Sequence, residues 1–164
     1  MTNERFTCLA QAYMDTVFRV AFSYMKSSAE ADDITQDVLL KLYRYEGEFE
    51  NDSHVKHWLI RVTINACKSA YRSPWRRHED IQDYANTLAM PTREHSDLFE
   101  AVMGLPRKYR VAIYLFYYEG YSTREMSELL HIPEATVRTQ LARGRERLRK
   151  ILTEAEEDHG QTAF

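Results

Sequence analysis

YSTREMSELLHIPEATVRTQLARGRERLRKIL, residues 121–152, reads as two helices joined by a very short break. Ser122 and Glu125 form an S-x-x-E capping box, which sets a helix start. Met126, Leu129 and Leu130 give that helix an apolar face, and His131-Ile132-Pro133 ends it. Pro133 cannot continue the first helix but suits the first position of a second. The second helix carries Val137, Leu141, Leu148 and Ile151 on one side. Away from that stripe lie Thr136, Arg138, Thr139, Gln140, Arg143, Arg145, Arg147 and Arg149. Helices of about eight and eighteen residues, a tight turn and an arginine-rich second member together indicate a helix-turn-helix that reads DNA.

Upstream of this stretch, Pro106 opens an amphipathic helix, PRKYRVAIYLFYYE, with Val111, Tyr114, Leu115 and Tyr118 toward the core. Gly120 suits a left-handed C-cap. A short helix over 97–103 precedes it. Residues 74–96 lose periodicity between Pro74 and Pro91 and read as a flexible linker between domains, with Trp75, Arg76 and Arg77 at its start. After Leu152 the tail, 153–164, is polar and expected to fray.

The N-terminal part, 1–73, is read as a second helical domain. Residues 8–25 set Leu9, Tyr13, Val17, Val20, Ala21 and Tyr24 at helical spacing. Ser27 and Glu30 make another capping box, opening a helix over 29–45. Its buried face is Ile34, Val38, Leu42 and Tyr45; its opposite face is Asp33, Gln36, Asp37 and Leu40. An exposed leucine among acids fits either a solvated face with one stray apolar residue or a docking surface for a basic protein. After the polar loop 46–53, Asp52 or Ser53 caps a helix ending before Pro74. Val55, Trp58, Leu59, Val62, Ala66 and Ala70 are its expected core side, with Lys56, Arg61, Asn65, Lys68 and Arg72 off it. Asn65 is a poor helix former, but its amide suits adenine edges. The chain is therefore expected to be all-α, with two small domains, 1–73 and 97–152.

Net charge over the 164 residues is −3, but its distribution is uneven. Residues 28–52 are net −6, 53–78 net +6, 79–103 net −5 and 133–151 net +4. Two basic blocks separated by acidic ones indicate two nucleic-acid surfaces and a further surface for another partner. No run of about 18 apolar residues and no signal-peptide core is present, so no membrane insertion is expected. Cys8 and Cys67 each lie on an apolar helical face and are read as reduced core thiols of a cytoplasmic protein. Phosphate-loop, dinucleotide and zinc-protease motifs are absent. His54, His57, His78 and Cys67 have no recognised ligand spacing, so neither enzyme activity nor a metal or cofactor is expected. A dimeric helix-turn-helix regulator explains the C-terminal half equally well, but not the acidic 31–45 face or the 61–72 basic stripe.

ADDITQDVLLKLY (31–43), FENDSHVKHWLIRVTINACKSAYR (49–72), LPRKYRVAIYLFYYEGYSTREMSELLHI (105–132) and PEATVRTQLARGRERLRKIL (133–152), in that order, resemble extracytoplasmic-function sigma factors of bacterial RNA polymerase. The resemblance covers about residues 8–152. It implies that 1–73 docks on the core enzyme and opens the −10 element, and that 97–152 binds the −35 element. Asp33, Gln36, Asp37, Leu40 and Arg44 then match contacts to the clamp helices of the largest subunit. The 46–54 loop, with Phe49, Asn51 and Asp52, matches the element that captures a flipped base. Arg61, Asn65, Lys68 and Arg72 match the helix beside it. Thr136, Arg138, Thr139 and Arg143 match the −35 face, while Arg145 and Arg147 fit phosphate contact or helix support. Gly144 stands where alanine is common, at about 1 kcal/mol of helix propensity. Glu134 repels phosphate and suits acceptance from a cytosine amino group. The implied partners are RNA polymerase core, including its flap, promoter DNA and an anti-sigma factor, often a membrane-anchored one.

Overall fold

The computed structural model describes residues 1–73 and 97–161, with no strand among them. Contacts divide the chain into two compact units, Met1–Met90 and Pro91–Phe164. The linker expected over 74–96, with Trp75, Arg76 and Arg77, lies outside the described residues.

Unit 1 is three mutually packed helices: α1 (Asn3–Met25), α2 (Ser28–Tyr43) and α3 (Asp52–Arg72). Each start has its own side-chain cap. Thr2 accepts from the Arg5 N–H, Ser27 from Glu30 and Asn51 from His54. The cap of α3 is thus Asn51, one residue before the expected Asp52 and two before Ser53. Val17, Val20, Ala21, Phe22, Ile34, Val38, Leu42, Leu59, Ile60 and Ile64 are buried. Each such leucine, isoleucine or phenylalanine contributes about 1.5–3 kcal/mol by leaving water.

Three expectations for unit 1 are corrected. Cys8 is exposed and only Cys67 is buried, because Cys8 lies with Thr7, Gln11 and Ala12 on the outer side of α1, away from the side on which Phe6 meets Tyr43. The buried arc of α3 is Val55, Leu59, Ile60, Thr63, Ile64 and Cys67. Trp58, Val62, Ala66 and Ala70 only flank it, half-buried, because α3 packs on two helices and its arc faces between them. Tyr45 lies past the end of α2 and joins an aromatic cluster instead of the helical stripe.

Unit 2 comprises α4 (Asp97–Met103), α5 (Arg107–Ile113), a π-helical turn (Tyr114–Tyr118), α6 (Thr123–Leu130) and α7 (Glu134–Gln161). The capping box at Ser122 and Glu125 closes in both directions. His131 ends α6 in the left-handed region at φ 55°, and Gly120 holds φ 73° where the preceding helix turns out. Pro133 sits just outside α7, its carbonyl accepting from the Thr136 and Val137 N–H groups, instead of at the first helical position.

The π turn has no counterpart in the helical periodicity of the sequence. An i→i+5 bond from the Glu119 N–H to the Tyr114 carbonyl marks it, at 3.3 Å. The widened turn stacks Tyr114 on Tyr118 at 5.2 Å, and Tyr118 is partly exposed instead of core. Two further differences concern α7. It runs to Gln161, because alanine and glutamate after Leu152 are good helix formers and no proline stops them. Its buried stripe is Val137, Leu141, Gly144 and Leu148, with Ile151 exposed. A Cβ on Gly144 would lie 2.9 Å from Ile113 Cγ1 and 3.5 Å from Tyr109 Cβ. That glycine therefore lets α5 and α7 approach closely, a reason beyond propensity.

Candidate nucleic-acid interface

In unit 2 the start of α7 is exposed along Thr136, Arg138, Thr139 and Arg143. The buried stripe, one face of the same helix, forces these four outward. Thr139 turns its hydroxyl back to the Ala135 carbonyl at 3.0 Å, so its methyl and backbone shape the surface. Arg138 donates from Nη2 to Glu134 Oε1 at 2.8 Å. That same oxygen accepts from the Thr123 hydroxyl at 2.8 Å, so Glu134 links the starts of α6 and α7. The turn between the helices is held by the Ser127 hydroxyl on the Ile132 carbonyl at 2.6 Å.

The remaining arginines of α7 differ in their surroundings. Arg145 donates through Nε to the Tyr117 hydroxyl at 2.7 Å and lies over the Phe116 and Tyr117 rings. Arg147 lies over the Tyr109 ring, 4.9 Å from its centroid. A hydrogen bond from Arg143 holds the Tyr109 hydroxyl below its ordinary range, helped by neighbouring Lys108. Arg143, Arg145 and Arg147, though solvent-exposed, are therefore each tied to the body of the unit, whereas Arg138 stands at its outer edge. The anchoring tyrosines, Tyr109 and Tyr117, were not among the residues singled out from sequence; the YLFYY run marks only the second of them.

In unit 1 the 46–51 loop is held in one shape. Phe49 is only 9% exposed, stacked on Tyr45 at 4.7 Å and edge-on to Trp58 and His54. The Glu50 N–H donates to His54 Nδ1 at 3.2 Å, and a Cβ on Gly47 would collide with the Tyr45 ring. Phe49 is thus a wall of the loop, while Glu46, Glu48, Glu50, Asn51 and Asp52 are exposed on it. Asn51 spends its side-chain oxygen on the α3 cap, and the Tyr13 hydroxyl reaches the Asp52 carbonyl at 3.3 Å.

On α3, Arg61, Asn65 and Arg72 are exposed and Lys68 is half-buried. Partial burial, then the nearby Arg72 charge, push the Lys68 ammonium below its usual range. On α2, Asp33, Gln36, Asp37, Leu40 and Arg44 are all exposed, and Leu40 is 46% accessible. Tyr43 extends that apolar point: it is 45% exposed, edge-on to Phe6, and its hydroxyl donates to Asn3 Oδ1. The two sets of unit 1 meet in one place. A groove of about 650 Å³ between α2 and α3 is lined by Asp33, Asp37 and Lys41 on one side and Asn65 and Ser69 on the other. Asn65 therefore stands opposite carboxylates, not solely among the bases of its own stripe.

Comparison with known families matches residues 9–77 to Sigma-70 region 2 and residues 95–148 to Sigma-70, region 4. The ECF RNA polymerase sigma factor SigM of Mycobacterium tuberculosis is 33% identical over 138 residues, covering 82% of this chain and 70% of that protein. SigW of Bacillus subtilis, also an ECF RNA polymerase sigma factor, is 27% identical over 167 residues, covering 91% and 89%. Among solved structures, the sigma factor RpoE in complex with the anti-sigma factor NepR from Bartonella quintana shares the fold with a TM-score of 0.70. That pair is 24% identical and covers 92% of this chain and 98% of the other. CnrH in complex with the cytosolic domain of CnrY gives a TM-score of 0.63 at 19% identity, covering 93% and 90%. Two helical units in this order, each matching its own region, establish that the chain belongs to the extracytoplasmic-function sigma factors of the sigma-70 family.

Proposed function

We propose that this sigma factor joins core RNA polymerase through the exposed α2 face, opens the −10 element with unit 1, and anchors at the −35 element through the start of α7. The observation that carries this reading is an ordered pair of surfaces on separate units. One is acidic with an exposed Leu40; the other is an outward-facing row, Thr136, Arg138, Thr139 and Arg143. Neither needs high affinity by itself. Linked through one scaffold, two weak readers gain from effective concentration. Opening is favoured where an unstacked base is held, which offsets a few kcal/mol of lost stacking.

On this reading Asp33, Gln36, Asp37, Leu40 and Arg44 face the clamp helices of the largest subunit. The loop residues Asn51 and Asp52, backed by Phe49, receive the flipped base. Arg61, Asn65, Lys68 and Arg72 follow the adjoining strand, chiefly by phosphate contact. Glu134, Thr136, Arg138, Thr139 and Arg143 read the upstream element, while Arg145 supports them. The flap of the polymerase is the partner for unit 2. The chain performs no chemistry of its own and acts in the cytoplasm, where polymerase and promoters are; none of its described helices is long and apolar enough to cross a membrane. An anti-sigma factor is the regulator, a reading supported by the anti-sigma factor NepR bound to RpoE.

The test is reconstitution. The chain is mixed with polymerase core and a promoter library, and transcription starts are sequenced. Starts that depend on both proteins support the reading. Binding to a palindrome without polymerase, and no starts, would replace it with a stand-alone helix-turn-helix regulator. Within the same assay Asp37→Lys lowers core affinity, and Arg138→Ala alters −35 preference while leaving core binding intact.

A further inference from the structure

At the outer edge of the helix-turn-helix one carboxylate oxygen receives two donors from different helices. The Thr123 hydroxyl, at the first residue of α6, and Arg138 Nη2, one turn into α7, both lie 2.8 Å from Glu134 Oε1. An exposed ion pair four residues apart on one helix samples many geometries. Here the third group, on a separate helix, fixes the carboxylate. Glu134 Oε2 makes no hydrogen bond among the described residues, and the Arg138 side chain is 64% exposed. The pair therefore presents an acceptor beside guanidinium donors. In the major groove a G·C pair offers the complement: an amino donor on cytosine beside two acceptors on guanine. A carboxylate at the first turn of α7 is also favoured by the helix dipole, which explains how an anionic group is tolerated there.

We propose that Glu134 and Arg138 read one G·C pair of the upstream element as a unit, and that Thr123 is the positioning residue that holds the unit in register. This rests on the promoter-reading role of α7. Disconnecting Thr123 leaves both reading groups present but lets the carboxylate swing, so the base preference blurs while phosphate contacts persist.

The experiment uses holoenzyme assembled from core polymerase and the full chain, on duplex libraries randomised across the upstream element. The wild type selects G·C at one position. Thr123→Val lowers that preference roughly tenfold, leaves the other positions unchanged, and Thr123→Ser restores it. Glu134→Ala relaxes the same position, its G·C selection falling by the same order while the remaining positions keep their preferences. A merely structural role for Thr123 would instead weaken all positions together, and that outcome overturns the proposal, as does a G·C preference surviving Glu134→Ala. Circular dichroism checks each variant; if Thr123→Val does not fold, the Glu134→Ala selection decides alone. A wild type that yields no promoter-dependent starts refutes the promoter reading itself, an outcome distinct from starts without G·C selection.

Discussion

Arg145 Nε lies 2.7 Å from the Tyr117 hydroxyl oxygen, with the guanidinium over the Tyr117 and Phe116 rings. An arginine on a recognition helix is thereby committed to its own unit. The π turn makes this possible, because it brings two successive aromatic side chains toward α7. Arg145→Ala is expected to destabilise unit 2 by about 1–2 kcal/mol, from one hydrogen bond and a partly exposed cation–π contact. Tyr117→Phe keeps the ring and should cost less, about 0.5–1 kcal/mol. Trp58 packs against Tyr45 and Phe49 in unit 1, so the fluorescence of a Trp75→Phe background follows unit 1 and far-ultraviolet dichroism follows both units. The expected signature is a lowered dichroism transition with an unchanged tryptophan transition. A shifted −35 preference with unchanged stability would instead make Arg145 a base reader.

Gly144 faces a different balance. Alanine there would gain about 1 kcal/mol of helix propensity. Its Cβ would also press on Ile113 Cγ1 at 2.9 Å and Cδ1 at 3.2 Å, inside the α5–α7 contact. Overpacking a filled core costs about 1–3 kcal/mol, so Gly144→Ala is expected to be neutral to destabilising by about 1–2 kcal/mol. A double-mutant cycle isolates the clash. In an Ile113→Ala background the same substitution should become stabilising, because space has opened where the methyl points. Equal effects in both backgrounds would mean that α7 shifts freely and the close approach is not required.

The parts of this architecture legible in sequence were those set by local chemistry. Ser122 with Glu125 and Ser27 with Glu30 marked helix starts because capping depends on residues three apart. Val137, Leu141 and Leu148 marked the buried side of α7 because the helices it packs on, α4, α5 and α6, all meet it along that one stripe. Periodicity failed where packing is two-sided. On α3 the stripe Ile60, Ile64 and Cys67 was as visible as the one chosen, and only contact with both α1 and α2 decides between them. It failed also where the backbone leaves the α-helical repeat: nothing in YLFYY distinguishes a π turn from a continuation of the α-helix. The candidate residues on α2 and at the start of α7 could be named from charge and spacing. What Glu134, Arg145 and Phe49 touch depends on groups 11, 28 and 4 or more residues away, which spacing does not specify.

Phe49 supplies a test of the loop. Its ring packs against both Tyr45 and Trp58, which also touch each other, so Phe49→Ala removes the wall that shapes residues 46–51. A loss of about 3 kcal/mol is expected for unit 1, with a changed Trp58 emission spectrum. Phe49→Leu fills most of the volume and should fold with a smaller loss. If the ring acts through loop shape, the leucine variant retains most of its promoter opening, read as permanganate reactivity of unpaired thymines. An opening defect as large for leucine as for alanine, in a folded protein, would show that the ring itself stacks on the captured base.

Tyr121 opens the way from the π turn into the helix-turn-helix, and its hydroxyl is pushed up to about 12 from 10.0 by burial first, then by Glu119 and Glu125. Below pH 10 the folded and unfolded chains both keep the proton, and the group adds no pH dependence. Between pH 10 and 12 the unfolded chain releases it while the folded chain holds it, so stability falls as pH rises. The denaturant midpoint of unit 2 should therefore drop more steeply over this interval than in Tyr121→Phe, which has no proton to lose. Comparing the two proteins cancels the contributions of the other tyrosines and lysines, which titrate in both. Parallel pH profiles would mean that the hydroxyl reaches water in the folded state, and that the start of α6 is looser than its capping box implies.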